Sequence, residues 1–162
     1  MSVSCREARA SDVGAMARLR TASRESEAYW RERIPAYLAG RLDPQQALAL
    51  RVAFVAEEDG EIVGLAAGHL SRRFGCDGEL EWLDVAASRR GEGVSAALLV
   101  RLAAWFVEHG AARVCTDVDP GNAGARSFYA WHGALELRPH WMVWEDIGRL
   151  AAPGRPPHPA PL

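Results

Sequence analysis

The sequence predicts an α/β domain built on one mixed sheet with helices on both of its faces. The predicted elements follow the order β, α, α, β, β, β, α, β, α, β, so that antiparallel strands come first. Only one β–α–β unit follows, in the second half of the chain, whereas a doubly wound dinucleotide-binding fold repeats that unit. The chain has 162 residues, of which 49% are hydrophobic, enough for one domain with a genuine core.

The first half of the chain predicts one strand and then two or three helices. Residues 3–8 alternate roughly in polarity and indicate a strand, and Asp12 offers an N-cap for the helix that follows. A second helical pattern covers residues 25–38, where Pro35 predicts a kink or a division into two short helices. Asp43, which is followed by proline, indicates the start of another short helix.

The second half predicts a hairpin followed by alternating strands and helices. An EDGE turn divides a β-rich stretch and so indicates an antiparallel hairpin. Prolines crowd the end of the chain, which therefore indicates a loose tail after a single domain at residues 1–150. The predicted elements are a hairpin at 52–71, a strand at 78–86, a helix at 93–109, a strand at 112–118, a short helix at 123–132, one or two strands within 134–147, and the tail at 151–162.

The composition argues against several classes of function. With a net charge of −2, the chain lacks the basic surplus that binding to nucleic acid or to an anionic membrane requires. The 3 cysteines are far apart and the histidines are scattered, so we expect neither a disulfide framework nor a metal site. No apolar stretch approaches the roughly 18 residues of a membrane span, and no signal-peptide pattern opens the chain, so we expect a cytoplasmic protein.

A turn rich in arginine and glycine joins the strand at 78–86 to the helix that follows. It reads Arg90-Gly91-Glu92-Gly93-Val94-Ser95, which is R-x-x-G-x-S. Glycines allow close backbone approach, and the unpaired N–H groups of a helix's first turn point at a bound anion. The turn therefore fits a phosphate site, although an ordinary strand-to-helix connection fits it equally well.

A second pattern opens the short helix at 123–132. Asn122 stands at the N-cap position, and Ala125, Phe128 and Tyr129 are spaced to lie close together on one side of the helix. Gly133 ends the pattern, which reads N-x-x-A-x-x-F-Y-x-x-x-G. Taken alone, the two aromatic residues are more typical of core packing than of catalysis.

Together the two patterns resemble the signature motifs of the GNAT N-acetyltransferase superfamily, [Q/R]-x-x-G-x-[G/A] and N-x-x-A-x-x-F-Y-x-x-x-G. The resemblance covers residues 52–147, and the order of elements before them agrees with it. Ser95 stands where the family usually has glycine or alanine, and Ala134 where a bulkier apolar residue is usual. The resemblance implies a mostly antiparallel central sheet, splayed between its fourth and fifth strands, with helices on both faces.

The resemblance also implies acetyl-CoA as co-substrate and assigns residues to it. Backbone amides of the turn would hold the pyrophosphate, helped by the dipole of the helix. The edge of the fourth strand would pair with the pantetheine arm, and other residues would contact the arm and the nucleotide phosphates. The residues so assigned are Arg90, Gly91, Glu92, Gly93, Val94 and Ser95 for the pyrophosphate, Leu83, Asp84 and Val85 for the arm, Asn122 on its far side, and Arg126 at the nucleotide phosphates.

The implied reaction needs a base for the amine and an acid for the departing CoA thiolate. By resemblance, Tyr129 is the acid. Glu79 and Glu81 compete as the base on the fourth strand, and we favour Glu81 because it stands nearer the cofactor slot. Their spacing predicts that they share a face with Leu83 and Val85. The alternative is that both glutamates are surface charges on an exposed strand face.

We therefore predict an acetyl-CoA-dependent N-acetyltransferase that acts on a primary amine of a small molecule by direct attack in a ternary complex. Tyr29, Trp30 and Tyr37 in the second helix weakly favour a closed pocket. The alternatives are a protein or peptide N-acetyltransferase and a non-catalytic acyl-CoA-binding module. Apolar residues on both faces of a strand near Trp141, together with the resemblance, suggest a homodimer. The sequence does not identify the acceptor.

Overall fold

The computed structural model describes residues 3–22, 25–42 and 44–151. Within these residues seven strands form one sheet and five α-helices flank it. The strands are β1 (Ser4–Glu7), β2 (Ala47–Glu58), β3 (Glu61–Ser71), β4 (Gly78–Val85), β5 (Val114–Asp117), β6 (Leu135–Arg138) and β7 (Trp141–Trp144). The helices are α1 (Val13–Arg20), α2 (Glu27–Leu38), α3 (Val94–Glu108), α4 (Ala123–Trp131) and α5 (Gly148–Ala151).

The sheet is mixed, as the sequence predicts. Its strand order is β1-β2-β3-β4-β5-β7-β6. Every neighbouring pair is antiparallel except β4 and β5, which run parallel because α3 carries the chain back between them. The predicted fold class is therefore confirmed.

Both faces of the central strands are covered, which explains why β2 and β3 are apolar almost throughout. Phe54 and Ala66 face a core that Leu98 and Phe106 of α3 complete. The alternating residues of β2 and β3 face a second core, where Ile34 of α2 packs with residues of α1. The sheet thus separates α3 on one side from α1 and α2 on the other.

Helix α2 is continuous, so the predicted division at Pro35 is wrong. Ser26 caps it by accepting a hydrogen bond from the Tyr29 amide at 3.2 Å. Trp30 and Ile34 are buried along its length, and this packing outweighs the hydrogen bond that Pro35 removes near the end of the helix.

The predicted short helix after Asp43 is also wrong. Asp43 itself lies outside the described residues, and the chain enters β2 at Ala47, where it pairs with Ser71 of β3. Arg51 holds this connection by donating to the Tyr37 carbonyl at 2.9 Å and to the Leu42 carbonyl. Cross-strand pairing and these two bonds outweigh the local proline signal.

The end of the described chain is the helix α5, whose Leu150 is buried in the core on the α3 side. The predicted tail lies outside the described residues beyond Ala151. Among the residues that the structure describes, no helix has both the length and the apolar character to cross a membrane. A cytoplasmic location stays a prediction.

Candidate active site

A β-bulge in β4 determines which way the candidate base points. Trp82 pairs with Ala67 of β3 and Leu80 pairs with Gly68, so Glu81 is an extra residue between them. Leu80 and Trp82 consequently pack into opposite cores, although they are two residues apart.

The bulge makes the predicted grouping of β4 side chains wrong. Glu79 and Glu81 lie together in one cleft, but Leu83 and Val85 pack on the opposite face, toward α3. The bulge reverses the alternation of side chains between the two pairs, and a strict two-residue period cannot anticipate this. Gly68, opposite the bulge, is the one sequence signal: a side chain there would meet the Glu79 carbonyl at 2.9 Å.

The sheet opens between β4 and β5, as the resemblance implied. The two strands pair only from Gly78 to Leu80, and the rest of β4, from Glu81 to Val85, diverges from β5. The opening forms a cleft of about 820 Å³. Its walls come from β4, β5, α4 and the α2–β2 region, so it joins elements that lie far apart in the sequence.

The cleft brings together several of the predicted site residues but not all of them. The predicted residues that line it are Glu81, Leu83, Asp84, Asn122 and Tyr129, together with the competing Glu79. The other predicted residues stand outside it, at the end of β4, in the turn before α3, at the start of α3, or on α4. They are Val85, Arg90, Gly91, Glu92, Gly93, Val94, Ser95 and Arg126.

The turn before α3 has the backbone that an anion site needs. Gly91 and Gly93 adopt left-handed φ angles of 80° and 84°, which favour glycine. No atom lies within 4 Å of where a side chain would begin at either position, so the space beside them is open. Glu92 Oε2 lies 3.6 Å from Arg89 Nη1, which offsets the charge that would oppose an anion.

Asn122 caps α4 through its side-chain oxygen. Its Oδ1 accepts a hydrogen bond from the Ala125 amide at 3.0 Å. Because the oxygen is committed to the cap, the side-chain NH₂ group is the part that can donate into the cleft. Arg126 stands on the same helix, with its Nη2 3.9 Å from Glu136 Oε2.

Tyr129 is a buried residue of α4 that lines the cleft. Its ring meets Trp144 edge to face, with centroids 5.4 Å apart. Burial raises the pKa of Tyr129 well above its ordinary value, and a hydrogen bond with Thr116 opposes this less strongly. Thr116 in turn donates to the Leu80 carbonyl at 3.1 Å, next to the bulge. Tyr129 is therefore protonated at neutral pH and able to donate.

Glu81 has the character of a base. Burial raises the pKa of Glu81, and the negative charge of Glu79 raises it further, while His69, Arg73 and Arg33 lower it. Glu79 is more deeply placed, at 3% exposure. The interpretation of both glutamates as surface charges is therefore wrong.

An ion pair that no sequence pattern indicated ties α1 to the cleft. Arg20 Nη1 lies 2.7 Å from Asp84 Oδ2, and its guanidinium stands over the Trp30 ring at 4.4 Å from the centroid. Asp84 thus points toward α1, the same side as Trp82. Because Arg20 and Asp84 are 64 positions apart, their contact leaves no local sequence pattern.

Within residues 3–22, 25–42 and 44–151, no group of three or more His, Cys, Asp or Glu side chains is arranged to hold an ion. What the cleft combines is a carboxylate, a protonated phenol and an unpaired strand edge, beside a glycine turn that opens a helix.

A mixed sheet that is splayed around a cleft defines the fold class of this protein, and comparison with known protein families identifies the family. The profile of the Acetyltransferase (GNAT) family matches residues 19–134. The chain belongs to the GNAT acetyltransferase family. None of the curated proteins is detectably similar to it in sequence.

Solved structures share the fold at low sequence identity. The PaiA N-acetyltransferase of Thermoplasma acidophilum, in complex with coenzyme A, is 16% identical, with a TM-score of 0.67 over 89% of this chain and 99% of that one. A ribosomal-protein-alanine N-acetyltransferase from Brucella melitensis is 22% identical, with a TM-score of 0.67 over 86% and 98%. A SpeG spermidine N-acetyltransferase chimera from Vibrio cholerae and hSSAT is 15% identical, with a TM-score of 0.67 over 93% and 98%.

Proposed function

We propose that the protein transfers an acetyl group from acetyl-CoA to a primary amine of a small molecule, by direct attack within a ternary complex. The observation that carries this proposal is that Glu81 and Tyr129 line one cleft, with Glu81 at the start of the unpaired stretch of β4 and Tyr129 on α4. A base and an acid beside a free strand edge are what the reaction requires.

The residues around the cleft suit acetyl-CoA, which supplies the thioester. The pyrophosphate is held by backbone amides from Arg90 to Ser95, where Gly91 and Gly93 leave open space and α3 begins. The edge from Leu83 to Val85 receives the pantetheine arm in place of the missing strand. The Asn122 amide contacts the arm from α4, and Arg126 contacts the nucleotide phosphates.

Glu81 accepts the proton that the attacking amine must lose. A primary ammonium ion has no free electron pair, so a nearby carboxylate is needed to make it a nucleophile. Burial beside Glu79 makes Glu81 a stronger proton acceptor than an exposed glutamate, which supports this role.

Tyr129 donates its proton to the departing thiolate. Its burial keeps the phenol protonated, and Thr116 lies beside it in the wall of the cleft. Tyr129 and the leaving sulfur then meet at the cofactor end of the cleft, away from the amine.

A small acceptor is favoured by the walls of the cleft. Arg33 of α2, together with Leu42 and Pro44 from the α2–β2 connection, bounds the end of the cleft beside Glu81. Among the solved structures with this fold, one carries the name of a spermidine acetyltransferase and another that of a ribosomal-protein acetyltransferase. A protein acceptor is therefore the second candidate, and it needs this end of the cleft to widen.

A screen of amines for CoA release tests the proposal. The protein is mixed with acetyl-CoA and a panel of small amines, amino acids, polyamines and peptides, and the free thiol is measured. We expect one small amine to raise CoA release above the background without amine. Release only with peptides would favour the protein acceptor, and no release with any amine would favour a non-catalytic acyl-CoA-binding module.

We also propose a homodimer, but through a surface different from the strand faces near Trp141 that the sequence suggested. Met142 and Val143 of β7 are already buried by the chain itself. The exposed apolar residues nearby are Trp131 at 41% and Leu135 at 60%, beside the edge strand β6. A sedimentation mass of two chains at micromolar concentration supports the dimer, and a mass of one chain contradicts it.

A further inference from the structure

A chain of buried polar side chains runs from α2 through β3 to the cleft. Tyr37 Oη lies 2.7 Å from His69 Nδ1, and His69 Nε2 lies 3.6 Å from Glu79 Oε1. The three residues are 2%, 0% and 3% exposed. His69 and Glu79 face each other directly across β3 and β4. This Tyr37–His69–Glu79 chain ends beside Glu81.

The Tyr37–His69–Glu79 chain is costly for the fold. His69 Nε2 and Glu79 Oε1 are both buried without a hydrogen-bond partner within 3.5 Å among the described residues. A buried polar atom left without a full hydrogen bond costs about 1–3 kcal/mol, and an apolar pair of similar size would avoid this. A cost of this kind at the wall of a reaction cleft points to a role in the chemistry.

The direction of the hydrogen bond between Tyr37 and His69 follows from the protonation of Tyr37. Burial raises the pKa of Tyr37 far above its ordinary value, so its hydroxyl keeps its proton and donates to His69 Nδ1. A neutral imidazole that accepts at Nδ1 carries its proton on Nε2. That N–H points toward Glu79 Oε1, with 3.6 Å between the two heavy atoms, which is too long for a hydrogen bond but close enough to attract the carboxylate.

We propose that His69, held by Tyr37, is a positioning residue that holds the Glu79 carboxylate next to Glu81, so that Glu81 is a stronger proton acceptor for the amine. This inference rests on the proposed function. Arg73 Nε, also 3.6 Å from Glu79 Oε1, is the second group that stabilises the Glu79 carboxylate.

Other charged and titratable groups surround this chain, and they set the background against which His69 acts. Charged His69, Arg73 and Arg33 lower the pKa of Glu81, which opposes the effect of Glu79, but the neutral imidazole assigned above carries no such charge. The groups that face the chain or Glu81 are Arg33 from α2, Arg51 from β2, Arg73 from the segment after β3, and Cys115 and Asp117 from β5.

The experiment compares pH–rate profiles of the full-length protein and its variants with the best amine of the screen. In H69L the N–H that attracts Glu79 is lost, so the Glu79 carboxylate is no longer held beside Glu81. We expect about a tenfold lower kcat, an acid limb displaced to lower pH, and an unchanged KM for acetyl-CoA. E79Q should show the same two changes, because it removes the charge directly.

The control is H69Q, whose side-chain NH₂ group can reach the position of Nε2 but cannot titrate. H69Q should recover most of the wild-type kcat and its acid limb. An H69L profile identical to wild type overturns the inference, and so does an H69Q variant as slow as H69L. If H69L does not fold, E79Q and Y37F carry the comparison, and wild-type profiles in both overturn the inference.

A second measurement is independent of activity. The ¹⁵N shifts of His69 in the free protein should show a proton on Nε2 and none on Nδ1, and Y37F should weaken that preference. A proton on Nδ1 in wild type overturns the inference whether or not the enzyme is active. Wild-type protein that releases no CoA with any amine, but has the expected His69 shifts, overturns the proposed function instead.

Discussion

Tyr129 and Glu81 owe their proposed roles to one physical cause, the removal of a side chain from water. Burial disfavours the charged form of both groups and raises both pKa values. For a phenol this secures the proton that it must donate. For a carboxylate it strengthens the attraction for the proton that it must accept. One cleft thus prepares an acid and a base by the same physical means.

Replacing Tyr129 with phenylalanine should separate chemistry from binding. The ring and its contact with Trp144 are kept, but the thiolate no longer receives a proton, so kcat should fall by about 10²–10⁴-fold. The KM for acetyl-CoA should change little. Y29F is the matched control, since Tyr29 is 39% exposed, and it should match wild type. Equal turnover of Y129F and Y29F would contradict the assignment of the acid.

Replacing Glu81 with glutamine should change the shape of the pH–rate profile. In wild type the rate falls as the pH drops through the raised pKa of Glu81, because the protonated carboxyl group cannot accept the amine's proton. Glutamine does not titrate, so this acid limb should disappear while the rate falls at every higher pH. E61Q, at an exposed position, should keep the wild-type profile. A retained acid limb in E81Q would rule Glu81 out as the base.

The turn before α3 and the capped start of α4 could be predicted from the sequence, whereas the surroundings of the base could be predicted only in part. The turn with Gly91 and Gly93 is local, so its glycines announce it. The neighbours of Glu81 depend on a bulge, which arises from the pairing of β4 with β3 and has Gly68 as its only sequence signal. The role suggested here for His69 depends on contacts across the sheet, which a scattered histidine does not announce.

Helix α1 and strand β4 are joined at the cleft by Arg20 and Asp84. The pair is partly buried, with side-chain exposures of 14% and 20%. The guanidinium also stands over Trp30, so one side chain links an ion pair to the aromatic residues of α2. Packing of this kind decides how α1 and α2 lie against the sheet.

Removing Arg20 should destabilise the protein by about 1–3 kcal/mol, because Asp84 would keep a partly buried charge without its partner. Urea unfolding of R20M measures this loss, and R20M/D84N should recover part of it. The control is R31M, which breaks an exposed pair of α2 with Glu27 and should cost less than about 0.5 kcal/mol. Equal losses in R20M and R31M would mean that the pair does not fasten α1.

At the scale of elements, prediction failed where tertiary packing outweighed a local signal. Pro35 predicted a break, but the buried residues of α2 hold one helix. The proline after Asp43 predicted a helix, but β2 extends back to Ala47 by pairing with β3. Elements with strong signals of their own, such as α3 with Gly93 before it and Gly110 after it, were predicted to within a residue or two.

For the whole molecule, acetyl-CoA should raise the melting temperature. A ligand that binds only the folded state at about 100 times its Kd adds about 2.7 kcal/mol of stability. S-acetylpantetheine, which lacks the pyrophosphate, should give a much smaller shift at the same concentration, since it leaves the turn before α3 empty. Equal shifts with both compounds would contradict the assignment of the pyrophosphate to that turn.

The divergence of β4 from β5 gives the sheet a third edge, set between strands rather than at its rim. An unpaired strand edge usually risks pairing with another chain, and proteins shield it. Here Tyr129 and Asn122 of α4 stand across the opening together with the end of β5. Under the proposed function, the amide groups of the pantetheine arm pair with this edge, which no described strand of the sheet uses. The same divergence that makes room for the ligand would then leave an edge that α4 shields from other chains.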